Sequence, residues 1–545
     1  MKKSLKILAL ILVLSLLSGV LCACSGEAEK VQTGSEFTYW VAMGSAPSQT
    51  ITSYNEMLMY QEMERITGTK VKFIHPASGS TGSEAFQILL SSGDYPDMME
   101  YSWGSYTGGA DQAINDGVII SLNDYLKDYA PNYYSYMEGE KGAEKNYIYK
   151  AQSVSYGGNY YGFKNMNIGS YRSFGGIYVR KDMLDKWGLD IPETIDEWEN
   201  IFKTAKENGC KAPLTATKVL FGITGSEMFN TAWNVGKDWY IENDEVKFGP
   251  FQPEYKEYIA KMADWMKKGY IDSDYITNGS ENVLGYMTNG SSVAAFGHIG
   301  SGIGKLMPAM EEKDPNYSVV ACPFPVLKKG EKALLQDLQP ESNDPVIAIS
   351  VQCGIDNEER YKEAISWCDY LYSDEGIILK SFGVEGETYT VETDENGEKH
   401  YVYTDKIIDH EQIGAHSVEA ALWHFFRPSN SPGFNQHPDY LDGFYPYEEQ
   451  KEAVVIWNSN YDEAVKHMYP PVSYTGEEAS EKANIEAKGR DNLDAGISNI
   501  ILGKQSIDTF DDVVKQAKKD GYASLLKIQQ DAYNRYLEII QATKK

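Results

Sequence analysis

The order of elements in one stretch restricts most strongly how this chain can fold. Residues 177–179 form a β-branched and aromatic run after two glycines, which predicts a short strand. Residues 183–187 then place apolar side chains at helical spacing, and Gly188 follows where a helix would end on a left-handed residue. Thr194 and Glu197 have the spacing of a capping box, which predicts the start of a longer helix. A strand followed directly by helices is typical of an α/β sheet covered by helices.

The same alternation occurs nearer the amino terminus. Strands are predicted at residues 37–43, at residues 71–75 and again just before residue 100, with helical apolar spacing between them. This βαβαβ order predicts an open α/β sheet, in which ligands bind beyond the carboxyl ends of the strands. Those ends fall at residues 40–45 and 100–106, so we expect ligand contacts there.

Charge and aromatic content restrict the partners. The chain of 545 residues, long enough for two or three domains, carries 79 acidic against 50 basic side chains, a formal net charge of −29. Such a surface repels polyanions, so we expect no nucleic acid and no anionic lipid surface as a partner. The 40 tyrosines and 10 tryptophans either fill cores or stack on the apolar faces of sugar rings.

The amino terminus has the pattern of an export signal. Three lysines precede the apolar run 7–17, which is too short to span a membrane comfortably. The residues around Cys24 resemble a bacterial lipobox, and this resemblance implies that the Cys24 sulfur carries lipid and becomes the mature amino terminus. We therefore predict a lipoprotein signal peptide at residues 1–24 and a flexible tether at residues 25–35, with membrane contact through the lipid only. A plain secretory signal with incidental cysteines is the alternative.

Further cysteines follow the lipobox at Cys210, Cys322, Cys353 and Cys368. None of them forms a C-x-x-C pair. Their even number in an exported protein permits two disulfides in three arrangements. Because a large core does not need such cross-links, we favour buried free thiols.

The sequence lacks the motifs of common catalytic sites. His410, Glu411 and His416 miss the spacing of a zinc protease helix, and the glycine-rich residues 300–304 are not a dinucleotide fingerprint. No G-x-S-x-G elbow and no phosphate-binding loop occur. Carboxylate pairs for glycoside hydrolysis cannot be located among so many acidic residues. The pattern favours binding without catalysis and predicts no cofactor.

Residues 178–198, YVRKDMLDKWGLDIPETIDEW, resemble the segment that opens the second lobe in extracellular solute-binding proteins of ABC importers, the family of the maltodextrin-binding protein. Residues 382–389, 473–479 and 528–536 are similar to the LipO-like lipoprotein branch of this family, whose members bind complex oligosaccharides. Relatives often carry an Asp/Asn-rich calcium loop where this chain has residues 208–212. That stretch contains no carboxylate, so we predict no metal there.

The resemblance implies a periplasmic-binding-protein-like (type II) α/β fold with two lobes of open sheet joined by a hinge. The chain would cross between lobes near residues 168–174 and 345–350. It further implies a monomer at the extracytoplasmic face of the bacterial cell membrane that captures an oligosaccharide and delivers it to ABC permease subunits. The expected divisions are lobe one at residues 36–170 and 346–420, lobe two at residues 171–345, and a carboxyl-terminal part, packed mainly on lobe two, at residues 421–545.

Candidate ligand contacts follow from this lobe geometry, because sugar sites need flat aromatic rings and polar side chains. The aromatic residues after lobe-one strands are Trp40, Tyr101, Trp103 and Tyr106. Tyr171 and Arg172 lie at the first crossing, and Trp233 and His298 lie in lobe two. Trp423, with His424 and Arg427, belongs to a stretch that could cover the cleft. For each residue the alternative is packing, to which we assign Trp198 and Trp367 because they complete apolar helix faces.

Two other functions stay open at this point. One is a surface lipoprotein enzyme that acts on polysaccharide. The other keeps the fold but binds a peptide or a signalling ligand.

Overall fold

The computed structural model describes residues 35–77, 80–167, 169, 171–218, 221–415, 417–429, 431–435, 437 and 439–544. The predicted signal peptide, the lipobox with Cys24 and the tether up to residue 34 lie outside this part. Among the helices that are described, none is both long enough and apolar enough to cross a bilayer.

The strands of the described residues lie in two main sheets and two hairpins. They are β1 (Glu36–Trp40), β2 (Lys70–Ile74), β3 (Met98–Tyr101), β4 (Phe163–Met166), β5 (Gly175–Arg180), β6 (Leu214–Thr215), β7 (Trp239–Glu242), β8 (Glu245–Phe248), β9 (Ala294–His298), β10 (Val319–Ala321), β11 (Ser342–Ile349), β12 (Tyr389–Thr393) and β13 (Lys399–Tyr403).

Lobe one is built on a five-stranded sheet with the order β2-β1-β3-β11-β4. β1 pairs in parallel with both β2 and β3, as the predicted βαβαβ order requires. β11 is antiparallel to β3 and β4, so β3 and β4 run in the same direction. The carboxyl ends of β1, β3 and β4 therefore share one edge of this sheet.

Lobe two is built on a four-stranded sheet with the order β10-β5-β9-β6. The strand predicted at residues 177–179 is the buried strand β5, antiparallel to both of its neighbours. Gly176 in this strand is required by packing, because a Cβ there would come within 2.4 Å of the Trp457 ring. The two open sheets, joined by chain crossings, confirm the predicted two-lobed α/β architecture.

Helices cover both sheets. Those of lobe one are Leu58–Thr67, Gly82–Ser92, Gly109–Asn115, Leu126–Tyr129, Pro131–Glu138, Asn146–Ser153, Glu359–Tyr370 and Asp374–Phe382. Those of lobe two are Lys181–Trp187, Ile195–Glu207, Pro253–Lys267, Ser280–Thr288 and Gly304–Met310. The carboxyl-terminal helices are Asp405–Ile408, Val418–Phe425, Tyr440–Phe444, Glu448–Trp457, Tyr461–Ala464, Gly476–Ile501, Phe510–Ala517 and Ala523–Thr543.

Local sequence signals set several of these boundaries. Thr194 caps the helix Ile195–Glu207 in a capping box with Glu197, as predicted. The preceding helix ends at Gly188, which takes the predicted left-handed conformation with φ of 67°. Trp198 and Trp367 are 0% and 3% exposed, which confirms their assignment to helix packing. The four described cysteines are buried free thiols.

The chain passes between the main sheets at two places. Crossing one lies between β4 and β5, and crossing two lies between β10 and β11. The predicted return near residues 345–350 is wrong, because β11 starts at Ser342 and belongs wholly to the five-stranded sheet. The first half of β11 is polar, and the pairing with β4 shifts register between Asn343 and Val346. That half therefore shows no apolar alternation from which a strand could be predicted.

The carboxyl-terminal part touches both lobes, whereas the sequence placed it mainly on lobe two. The helix Glu448–Trp457 packs on β10, and Gly476–Ile501 packs on the lobe-two helix Pro253–Lys267. The last helix, Ala523–Thr543, also packs against Asn146–Ser153 of lobe one. This part of the chain therefore bridges the two lobes on its way to the carboxyl terminus.

Candidate functional site

Strand ends from the two sheets meet at crossing one. β4 ends at Met166 and leads into the crossing, and β5 begins at Gly175 where the crossing ends. Because β9 is antiparallel to β5, its last residue, His298, pairs with Gly175. The exposed His298, a predicted contact, therefore lies at the junction of the lobes.

A cavity of about 220 Å³ opens at this junction. Its wall combines residues from the crossings, from the end of β9 and from the carboxyl-terminal part. The lining residues are Asn167, Gly169, Tyr171, Arg172, Phe174, His298, Ile299, Gly300, Ser301, Gln339, Glu419, Ser429, Phe434, Tyr440, Leu441, Phe444 and Tyr445. Of the predicted contacts, Tyr171, Arg172 and His298 are brought together here.

Arg172 shapes the crossing with most of its donors. Its Nη1 donates to the carbonyl oxygens of Gly169 at 2.7 Å and Tyr171 at 3.0 Å, and its Nη2 donates to the carbonyl of Asn167. The side chain is 1% exposed. The sequence predicts that this guanidinium bonds a ligand, but its terminal nitrogens instead donate to the backbone of crossing one.

A third segment ties the crossings together. Asn458 accepts hydrogen bonds from the backbone amides of Arg172 and Ser173 at 2.8 and 2.9 Å. Asn460 donates to the carbonyl of Ala333 in crossing two at 2.7 Å, and Tyr461 donates to the Glu341 carboxylate at 2.9 Å. The role of this segment could not be predicted from the sequence, because isolated asparagines carry no pattern that distinguishes them from loop residues.

Glu419 supplies a carboxylate to the cavity wall. It lies in the first turn of the helix Val418–Phe425, whose start is capped by the Ser417 hydroxyl. A Cβ on Gly300 would come within 2.7 Å of Glu419 Oε2, so the carboxylate reaches across to lobe two. Burial raises the pKa of Glu419, although Lys305 and His298 act in the opposite direction. Nothing in the sequence distinguishes Glu419 from the many other acidic residues.

Aromatic rings from residues 434–445 form the apolar side of the cavity. Tyr440 stacks on Phe444 with 5.0 Å between ring centroids, and Phe434 and Tyr445 pack against this pair. The Tyr440 hydroxyl is buried, and no hydrogen bond of normal geometry reaches it among the described residues, although burial raises its pKa and the nearby Ser429 side chain acts to lower it. An unpaired buried hydroxyl at a cavity wall is a donor and acceptor that a ligand can use.

Trp40 and Trp103 do not reach the cavity, which corrects the prediction. They are 4% and 0% exposed and belong to an apolar cluster on one face of the lobe-one sheet. Phe86 packs against both rings and stacks on the half-buried Tyr101 at 4.0 Å. Trp103 starts a short 3₁₀ turn directly after β3, and its ring packs inward under the helix Gly82–Ser92.

The remaining predicted aromatic contacts also lie outside the cavity wall. The Tyr106 hydroxyl donates to Asp116 at 2.8 Å. Trp233 packs on Tyr258 with 5.8 Å between ring centroids. Trp423 and His424 are half-buried on the helix Val418–Phe425 and do not line the cavity.

Arg427 is a buried anchor, which corrects the expectation that it covers the cleft. Its two terminal nitrogens each donate to the Glu100 carboxylate at 2.8 Å. Although burial acts to raise it, the pKa of Glu100 is lowered because Arg427 lies beside it. Lys380, also buried, donates to the carbonyl of Pro432 at 2.7 Å. These contacts attach the segment that carries the cavity's aromatic wall to lobe one.

Within the described part of the chain, one group of side chains has the donors and spacing of a cation site. Asp394, Glu398 and His400 lie on the β12–β13 hairpin, with one donor atom from each within 4.8 Å of one another. The group is at the surface, and carboxylates of this kind are common there without a metal. The geometry therefore assigns no metal to the hairpin.

Two α/β lobes, joined by crossings and separated by a cavity with polar and aromatic walls, define a binding protein of the type II class. The chain belongs to the family of bacterial extracellular solute-binding proteins, whose model matches residues 46–378. Members of this family bind solutes for transporters, so the protein is a binding protein and not an enzyme.

Named relatives support the family over most of the chain. Lipoprotein LipO of Bacillus subtilis is 22% identical over 486 residues, which cover 85% of this chain and 86% of that protein. The fructooligosaccharide ABC transporter substrate-binding protein FusA of Streptococcus pneumoniae is 23% identical over 518 residues, which cover 88% of this chain and 87% of FusA.

Solved structures show the same fold. The alginate-binding protein AlgQ2 superimposes with a TM-score of 0.71 at 20% identity, covering 92% of this chain and 98% of AlgQ2. A solute-binding protein associated with an HMO-binding ABC transporter of Bifidobacterium longum infantis gives a TM-score of 0.70 at 18% identity, covering 92% and 99% of the two chains. These likenesses establish the two-lobed fold.

Proposed function

We propose that the protein is a lipid-anchored extracytoplasmic receptor that captures an oligosaccharide between its lobes and delivers it to an ABC permease. The observation that carries this proposal is the cavity at crossing one, whose wall joins both lobes and combines aromatic rings with unpaired polar groups. The partners are then the oligosaccharide and the permease subunits, with the protein acting as a monomer.

The chemistry of the wall suits a sugar. Pyranose and furanose rings have apolar faces that pack on aromatic rings, and hydroxyls that need donors and acceptors. Tyr171, Phe174 and Phe444 supply rings, and the Tyr440 hydroxyl and His298 supply polar atoms. Tyr171 and His298 are therefore the predicted contacts that we retain as proposed ligand contacts.

The position of the cavity suits capture by closure. A ligand that touches both lobes stabilises the closed arrangement over the open one, and the crossings are the hinge of that motion. The volume of about 220 Å³ is below the roughly 300–1,000 Å³ of most small-molecule sites. A ligand longer than a small saccharide would therefore require the lobes to separate.

The names of the relatives support the ligand class and the anchor. FusA is named for fructooligosaccharide, and LipO is named as a lipoprotein. Together with the lipobox-like residues around Cys24, the name of LipO supports attachment to the membrane by lipid.

A ligand screen by thermal shift tests the proposal. A ligand at 100 times its Kd should add about 2.7 kcal/mol to the free energy of unfolding. We expect oligosaccharides to raise the melting temperature and peptides to leave it unchanged. Stabilisation by peptides alone, or by no member of either panel, would exclude the oligosaccharide receptor.

Two tyrosines then locate the site by calorimetry with the ligand that the screen finds. Tyr171→Ala should weaken binding by about 10- to 100-fold, because the ring lies on the cavity wall. Tyr106→Ala is the matched control and should leave affinity within about twofold, because this tyrosine bonds Asp116 away from the cavity. Equal effects of the two substitutions would place the ligand elsewhere.

A further inference from the structure

We infer that the cavity selects uncharged oligosaccharides and that the Glu419 carboxylate excludes uronates, the acidic sugars that carry a carboxylate on the ring. The inference rests on the proposed function and specifies its ligand. Similarity does not decide this point, since AlgQ2 is named for alginate, an acidic polysaccharide, and FusA is named for a neutral one. The charged groups of the cavity wall do decide it.

Apart from three tyrosines, the ionisable side chains in the described wall are Arg172, His298 and Glu419. A uronate site requires a cation whose donors are free, and arginine is the usual choice because it can hold a carboxylate with two parallel bonds. The first question is therefore whether Arg172 can receive a ligand carboxylate.

Arg172 cannot do so without dismantling crossing one. Both terminal nitrogens already donate to backbone carbonyls, at 2.7 Å in the case of Gly169. Three of its five N–H groups are used in this way, which leaves the Nε–H and one N–H of Nη2. Because Arg172 is only 1% exposed, a ligand carboxylate could reach these two donors only if crossing one opened.

The carboxylate of Asp337 lies beside His298. A Cβ placed on Gly175 would meet His298 Nδ1 at 2.8 Å and Asp337 Oδ2 at 3.2 Å, so the ring and the carboxylate lie beside each other. A positive charge on His298 would therefore be compensated by Asp337 before any ligand arrives. The imidazole is left as a hydrogen-bonding group for a hydroxyl.

The Glu419 carboxylate then gives the cavity wall its uncompensated negative charge. Its carboxylate lies against Gly300 on the opposite lobe, so a ligand between the lobes passes close to it. The positive charge of Lys305 also acts on it, but this lysine lies 3.8 Å from Glu281 and does not line the cavity. Like charges about 5 Å apart near a protein surface repel enough to weaken binding on the order of 100-fold.

Neutral sugars meet no such penalty. A carboxylate is a strong acceptor for sugar hydroxyls, and the unpaired Tyr440 hydroxyl can donate or accept. The same residue that repels a uronate therefore bonds an uncharged ring. Selection arises because one group has opposite effects on the two ligand classes.

The test compares ligands that differ only in charge, using the full chain in detergent and calorimetry. A panel of neutral oligosaccharides and of galacturonate and alginate oligomers identifies the tightest ligand. That ligand, if neutral, is then oxidised at its primary hydroxyls to carboxylates and measured again. We expect a neutral ligand to bind tightest and its oxidised form to bind on the order of 100-fold more weakly.

Two variants assign the effect to one residue. Glu419→Gln keeps the hydrogen-bonding shape but removes the charge. It should weaken neutral binding by about fivefold, because a bond to a charged acceptor becomes a neutral one, and should raise the affinity for the oxidised ligand by about tenfold. Glu411→Gln, an exposed neighbour outside the cavity, should leave the ratio of the two affinities unchanged.

The possible results distinguish a failure of the charge selectivity from a failure of the proposed receptor function. A uronate that binds within tenfold of the best neutral sugar, or an unchanged ratio in Glu419→Gln, overturns the selectivity and leaves the receptor proposal standing. Binding of no carbohydrate in either panel overturns the proposed function and the inference together.

Discussion

Two groups of aromatic residues lie near the meeting point of the lobes, and they differ in what surrounds them. The strand-end group consists of Trp40, Phe86, Tyr101 and Trp103, and the wall group consists of Phe434, Tyr440, Phe444 and Tyr445. The strand-end group is covered by the helices Gly82–Ser92 and Gly109–Asn115 and closes into a core. The wall group packs as closely, yet one side of it borders the cavity.

This difference teaches that aromatic content does not identify a ligand site by itself. A ring buried among apolar neighbours stabilises the fold, because water is excluded from all of its surface. A ring with one side on a cavity still has apolar surface that a ligand can bury, so it can contribute to the free energy of binding. Three substitutions, taken from the largest expected effect to the smallest, test whether the two groups differ in this way.

Trp103→Ala tests the strand-end group. Removing a fully buried indole should lower the free energy of unfolding by about 3–5 kcal/mol, because the lost burial and the remaining cavity both cost stability. Denaturant unfolding measures this loss, and calorimetry on the folded variant should find ligand affinity unchanged. Weakened binding with little loss of stability would show that Trp103 contacts the ligand and that the strand-end group and the wall group do not differ.

Arg427→Met tests how the wall group is attached to lobe one. The substitution leaves the buried Glu100 without its partner, which should cost about 3 kcal/mol, at the low end for such pairs because Lys380 remains nearby. Unfolding in denaturant measures it. Lys256→Met, which breaks the exposed pair with Asp511, is the control and should cost less than about 1 kcal/mol. Equal costs would show that the buried pair is not an anchor.

Tyr440→Phe gives the smallest and most selective effect. It removes a buried hydroxyl that no hydrogen bond of normal geometry reaches among the described residues, so the ligand-free protein should be as stable as before or slightly more stable. Ligand binding should weaken by about fivefold, the loss of roughly one hydrogen bond of 1 kcal/mol. A clear loss of stability without ligand would mean that the hydroxyl serves the fold and not the cavity.

Much of the fold could be predicted from local pattern. The strands β1, β2 and β5, the capping box at Thr194 and the helix end at Gly188 follow from apolar spacing and from backbone preferences over a few residues. Such signals are short-range, so each can be recognised without knowing what packs against it. Strand β11 shows the limit, because its polar half is a strand only through its pairing with β4.

Residues of the cavity wall could be predicted from the sequence only at the junction around crossing one. Tyr171 and His298 adjoin a recognised strand and line the cavity, as expected for ligand contacts. Trp103 and Arg427 were expected at the cleft but are buried in the fold. Glu419 was missed, since the Gly300 that it faces lies more than a hundred residues away in sequence. No local pattern reports such a contact.

The sequence by itself determined the class of architecture, because hydrophobic period, turn residues and helix caps act between near neighbours and are written directly in the order of residues. Only the tertiary structure decided which aromatic rings are enclosed, which arginine donates its hydrogen bonds to backbone carbonyls and which carboxylate borders the cavity. Those outcomes depend on which distant segments share a surface, and burial and charge pairing are properties of that shared surface and not of any single segment.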